Sequence, residues 1–337
     1  MHTVSLALLA AAILGLGMFG PALVQWSAPL LMRAPRLASG LLFGTLVAWS
    51  AAAAAVSLAL AGTISGPQLF QASFTDVCRR CLASAGPFSA APTIDVPVPA
   101  AALLLLPLLG IAVQLVLGTW RAFRRAASTR AVVDEVLAVG HRTEVAGHDV
   151  LLVPDPRPLA FTLPRRRGGM VVSHGLLEAL PPEQLRAVLE HEAAHLAQHH
   201  HMILALLDVF AGPMQRIPLV AAVLDAVPLL LEVAADDASR HHTGTPALAG
   251  ALLTLGEAGI HPTQSSTAAA PGALLHALGP EGSVPDRVGH LVAPSSGRAS
   301  IAPLALLTTS TALLAGAGGA VLLPFALLLL DGCALLP

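Results

Sequence analysis

The sequence predicts a mainly α integral membrane protein: four transmembrane helices carrying one α+β domain with a small antiparallel sheet. Three observations predict it. Of the 337 residues, 55% are hydrophobic and only 11% charged, about half the charge of a soluble domain, and the mean hydropathy is +0.74. Four apolar runs reach the ~20 residues that a membrane-spanning helix needs. Between the third and fourth runs lies a block that holds most of the charge and nearly all the histidines.

The spans come first. They are residues 4–24, 41–61, 98–120 and 301–330, the first three forming a membrane domain, 1–120, with an outer loop, 63–97. The first run reads as a span and not as a cleaved leader, because its apolar stretch is long and only His2 precedes it. Arg33 and Arg36 lie between spans one and two, and Arg121, Arg124, Arg125 and Arg130 follow span three. If all four runs cross, these arginines share one side, which the positive-inside rule makes the cytoplasm. Loop 63–97 is then outside, with Cys78 and Cys81 as a local disulfide or two free thiols. Trp26, Trp49 and Trp120 read as interfacial anchors.

Composition excludes several chemistries. Basic residues number 18 against 20 acidic, for a net charge of −2, so no nucleic-acid partner is expected. Every basic residue is Arg, which rules out a P-loop lysine and a Ser-x-x-Lys acylation site.

Residues 121–258 read as a cytoplasmic domain and 259–300 as a Pro/Gly/Ser/Thr-rich linker. Val150–Val153, Leu159–Leu163 and Met170–Ser173 are short apolar runs bounded by Pro and Gly, hence strands. His174–Leu180 is expected as a short helix. Pro181-Pro182-Glu183 opens a longer one, with Leu185, Val188, Leu189, Ala193 and Leu196 at helical spacing through His195 to His201. A further helix is expected over about Leu219–Arg240. Between Met202 and Leu231 the chain is interrupted by Pro213, Pro218 and Pro228, and no piece looks long enough to span.

The chemistry starts at His191-Glu192-Ala193-Ala194-His195. Residues four apart share a helix face, so both imidazoles can reach one Zn2+ at ~2.0–2.1 Å. Glu192 is one step round the helix, placed to act on a metal-bound water as general base without being a ligand. Two residues compete for third ligand. His201 has the spacing of the extended H-E-x-x-H-x-x-G-x-x-H pattern, but Gln198 stands where that pattern turns on Gly. Glu232, with Asp236 four residues later on the same face, is the favoured choice; Asp236 would orient a ligand histidine through its other ring nitrogen. Arg240, His241 and His242 are candidate oxyanion stabilisers. His199-His200-His201 reads as a solvated helix end. The strand at Leu159–Leu163 either offers its edge to an extended peptide or is an ordinary core strand, and Arg165-Arg166-Arg167 is a positive turn.

H-E-x-x-H with a downstream E-x-x-x-D, flanked by apolar spans, resembles the gluzincin metallopeptidases and is most similar to the BlaR/MecR-type integral-membrane peptidases, relatives of HtpX and the CAAX prenyl proteases. The likeness runs over about Asp134–Arg240. It implies a membrane-tethered zinc endopeptidase with one Zn2+ held by His191, His195 and Glu232, Glu192 as catalytic acid/base and Asp236 in support. The implied substrate is a cytosolic or membrane-adjacent protein, a transcriptional repressor in a signalling pathway being one case. The best-known members carry a penicillin sensor acylated at Ser-x-x-Lys; with no Lys, this chain is expected to lack it. A membrane receptor or scaffold that keeps the metal but acts by binding is the alternative. Glu192 argues for the enzyme, since a structural zinc has no use for that carboxylate.

Overall fold

A computed structural model describes residues 2–65, 100–163, 169–257 and 300–331, together with residues 287, 289 and 291. In chain order the helices are α1 (His2–Leu31), α2 (Pro35–Ser65), α3 (Ala100–Val139), α4 (His174–Ala179), α5 (Pro182–Ala197), α6 (His200–Ala211), α7 (Pro218–Thr243), α8 (Thr245–Glu257) and α9 (Ala302–Asp331). Between α3 and α4 come β1 (His141–Val145), β2 (His148–Val153), β3 (Ala160–Thr162) and β4 (Met170–Ser173).

The sheet is mixed, not antiparallel as expected. Its order is β1-β2-β4-β3, and β2 runs parallel to β4, with Val150 opposite Met170 and Val153 opposite Ser173. β1, which the polar sequence His141-Arg142-Thr143-Glu144-Val145 concealed, pairs antiparallel to β2 and is largely exposed. The crossover from β2 carries β3 to the outer edge of β4 before the chain returns. Both faces of the sheet are covered, which is why β2 and β4 read as unbroken apolar runs. Val150 and Leu152 pack with Met170, Val172, Leu185, Val188 and Leu189 on one face, while Leu151, Val153 and Val171 meet Val133 of α3 on the other. Ser173 closes the structure locally: its hydroxyl accepts from the amides of Leu159 (2.8 Å) and Leu176 (3.1 Å) and donates to Arg157 O (2.6 Å).

Four described helices, α1, α2, α7 and α9, contain stretches long and apolar enough to cross a membrane, by length and composition. Three coincide with expected spans. The expected third span falls on α3, which runs unbroken from Ala100 to Val139. α7 corrects the reading of residues 202–231: Pro228 is accommodated inside one continuous helix of 26 residues, and 56% of its apolar stretch is inside the protein, against 17% for α9. Leu219, Val220, Val223, Val227 and Leu230 of α7 share one core with Leu16 and Val24 of α1, Leu42 and Leu46 of α2 and Leu307 of α9. Trp49 is no simple anchor, since its indole donates to Ile13 O at 2.9 Å. The outer-loop cysteines and Arg165-Arg166-Arg167 lie outside the described residues.

Candidate metal centre

α5 and α7 face each other over the site. The hydroxyl of Ser239 donates to Ala187 O at 2.7 Å, fully buried. Glu232, Asp236 and Ser239 recur at four and three residues, so this bond turns both carboxylates toward α5. On α5, Leu185, Val188 and Leu189 take the sheet side, leaving His191 and His195 to point at α7.

His191 Nε2 and His195 Nε2 are 3.0 Å apart. Glu232 completes the triangle, with Oε2 3.5 Å from His191 Nε2 and Oε1 3.4 Å from His195 Nε2. All three side chains are buried, and they offer ligand atoms within 4.8 Å of one another. Two imidazoles and a carboxylate are the donors a catalytic zinc takes, with a fourth position left for water. His191 Nδ1 lies 2.9 Å from Asp236 Oδ1, although the oxygen is off the N–H axis and the nitrogen makes no well-aligned hydrogen bond. Burial alone would lower the His191 pKa, but Asp236 and Glu232 outweigh it and raise it to about 10. The two carboxylates thus favour positive charge at His191, an electrostatic setting compatible with a divalent cation.

Glu192 is 4% exposed. Burial pushes its pKa up to about 7, Glu232 adding to the rise and His191 and Arg287 opposing it. Its Oε2 is buried without a hydrogen-bond partner among the described residues. A buried carboxylate oxygen with nothing to accept from is costly, and it suits a group whose partner is a reacting water.

His201 does not join the cluster. The helix expected through His201 ends at Ala197, and His199 takes a left-handed φ of +56° before α6 begins. That turn carries His201 aside and swings His200 underneath His195. His200 is 1% exposed, so the reading of the triple histidine as a solvated end is wrong for its middle member. Among the candidate oxyanion groups, Arg240 pairs with Asp237 at 3.1 Å and His241 and His242 are exposed at the end of α7.

Sequence reading missed Arg287. It lies in the stretch taken as a linker, yet its guanidinium is buried on the site carboxylates. Nε and Nη2 each donate to Asp236 at 2.7 Å, and Nη1 is 3.2 Å from Glu232 Oε2. Leu291, four residues on, packs with Ala187 and Leu248. The available signal was slight: Arg287 is the one arginine between Arg240 and Arg298.

Residues 124–249 match Peptidase family M48. That segment carries α5, α7 and the whole His–His–Glu triangle. A relative described as a protease HtpX homolog, from Moorella thermoacetica, is 34% identical over 90 residues, 26% of this chain and 29% of the relative. The chain thus spans under a third of that relative's length. No solved structure matches the chain.

Proposed function

We propose that this chain is a membrane-anchored zinc endopeptidase, with its catalytic domain, about 121–258 joined by Arg287 and Leu291 of the following stretch, on the cytoplasmic side. The observation that carries the reading is the triangle of His191, His195 and Glu232, with an oxygen of Glu192 beside it that has no hydrogen-bond partner among the described residues. The match to Peptidase family M48 over the same residues supports it.

His191, His195 and Glu232 would hold the zinc, which when bound would supply Lewis-acid activation of a water and of a substrate carbonyl. Glu192 takes the proton of the attacking water and delivers it to the leaving amine; its raised pKa fits both halves of that task near neutral pH. Asp236 holds the Nδ1 side of His191, which keeps Nε2 turned to the metal. β3, an edge strand beside α5, offers backbone groups on which an extended peptide can add. Arg33, Arg36, Arg121, Arg124 and Arg125 favour the cytoplasmic orientation. The substrate is a protein in or beside the membrane, a transcriptional repressor of the BlaR/MecR kind being one case, and Arg240, His241 and His242 are the candidate oxyanion stabilisers.

The test is to express the chain and a Glu192→Gln variant in membranes and follow cleavage of candidate cytosolic repressors and of the protein itself. Cleavage by the parent and not by the variant is expected, with zinc bound by both. Zinc in both and cleavage by neither would leave a scaffold.

A further inference from the structure

The two metal-facing histidines are supported differently. Asp236 and Arg287 stand behind His191. Behind His195 stands a chain of polar contacts that leads to the membrane hairpin. His195 Nδ1 is 2.8 Å from His200 Nδ1, His200 Nε2 is 3.0 Å from Gln198 Oε1, and Arg36 Nε donates to the same oxygen at 3.0 Å. Arg36 belongs to the first turn of α2, 162 positions away from Gln198 in the sequence.

This chain of contacts has one consistent proton arrangement with a metal-competent His195. An Arg Nε–H can only donate, so the amide atom of Gln198 facing it is the oxygen. That oxygen accepts from His200 as well, and the proton between them is on His200 Nε2. In a neutral ring Nδ1 of His200 is then the acceptor, and the proton between the two rings belongs to His195 Nδ1. The lone pair of His195 is thereby left on Nε2, the nitrogen 3.4 Å from Glu232 Oε1. Were His200 to donate instead, His195 would carry its proton on Nε2, facing the metal.

We infer that His200 is a positioning residue for the ligand His195, held in its accepting tautomer by Gln198 and by Arg36 of the α1–α2 hairpin, so that the membrane hairpin sets the metal affinity of the site. The inference rests on the metal-site reading above but not on proteolysis. It also accounts for local features that otherwise stand alone. The left-handed His199 spends the backbone strain that a non-glycine residue incurs there, and what it gains is His200, buried beneath His195. Gln198 stands where a glycine would remove the amide that joins His200 to Arg36.

The experiment uses the full chain in detergent, with zinc affinity read by competition with a chromophoric chelator and the ligand field read from the visible spectrum of the cobalt-loaded protein. His200→Phe keeps an aromatic ring but cannot accept a hydrogen bond, and it is expected to weaken zinc binding roughly 10- to 100-fold and to change the cobalt spectrum. His200→Gln restores most of both, because its carboxamide accepts from His195 and donates to Gln198. Gln198→Met and Arg36→Met move the affinity in the same direction by less, and exposed Arg36 makes that variant safe for folding. Parent-like affinity and spectrum in His200→Phe, or no recovery in His200→Gln, overturn the positioning role. Unchanged affinity in both Gln198→Met and Arg36→Met overturns the link to the hairpin. Failure of the parent itself to take up metal would instead bring down the metal-site reading, and this inference with it.

Discussion

Arg287 and Asp236 form a buried two-pronged ion pair, Nε to Oδ2 and Nη2 to Oδ1, both 2.7 Å. The parallel bonds match the planar fork of a guanidinium to a carboxylate. Asp236 is 1% exposed and Arg287 6%, so neither charge can be left alone cheaply. The pair ties the segment ahead of α9 to the residue behind His191.

Arg287→Met should therefore cost about 3–5 kcal/mol, the usual consequence of stripping one partner from a buried pair. Two carboxylates, Glu232 and Asp236, lose their counter-ion together. Arg287→Lys returns the charge but not the fork, and should recover only part of the loss. Thermal unfolding of the metal-stripped protein measures it; a melting temperature unchanged in Arg287→Met would show that the pair does not hold the site together.

Ligand choice is decided by comparing two alanine variants. Glu232 lies 3.4–3.5 Å from both imidazoles, whereas His201 is carried aside by the turn at His199. Glu232→Ala should lose stoichiometric zinc, and His201→Ala should keep it within about twofold of the parent, since it removes no first ligand. Elemental analysis after gel filtration reads both. The opposite pattern would give His201 the third place.

Much of this was legible beforehand, and the gaps have physical causes. Period and punctuation carry the helices α5 and α7, and H-E-x-x-H with E-x-x-x-D four residues apart marks one face of each. β1 escaped because His141, Arg142 and Glu144 are polar on a strand that is exposed on its outer side. The parallel pairing of β2 with β4 escaped because a run of apolar residues reports burial on both faces but not direction. Arg287 and His200 escaped for a common reason: each acts through a tertiary contact that no local period encodes. For Arg287 the partner is 51 positions distant; for His200, a single left-handed residue decides whether the ring is solvated or buried.

Glu192 gives a pH prediction whose sign follows from burial. Its pKa rises from the ordinary 4.5 to about 7, so between those values the folded state binds more protons than the unfolded state. The Glu192 contribution to the stability of the metal-stripped protein then falls as pH rises from 4.5 to about 7, and its loss is complete above that. Glu192→Gln keeps the shape without the charge. It should raise the melting temperature relative to the parent at pH 8, by an amount corresponding to roughly 3 kcal/mol at most, and leave it nearly unchanged at pH 4. A parent-to-variant difference that is flat with pH would mean that the carboxyl is solvated. With zinc loaded the same substitution should abolish cleavage at every pH.

The contact of α3 with α6 makes a steric prediction with its control on the same helix. A Cβ added at Gly118 would run into the backbone carbonyl of Val209, which belongs to α6 and has no side-chain freedom to yield. At Gly110 an added Cβ meets nothing within 4 Å. Nearby, the side chain of Gln114 donates to Phe210 O and Arg121 Nη1 donates to Gly212 O at 3.0 Å, so the helices are locked at this depth and cannot slide apart without losing both bonds. Gly118→Ala must push the helices apart, losing packing and hydrogen bonds for at least ~1–3 kcal/mol. Gly110→Ala should gain up to about 1 kcal/mol from helix propensity. Opposite shifts in melting temperature are expected, and if the two variants shift together, α3 and α6 do not meet at Gly118.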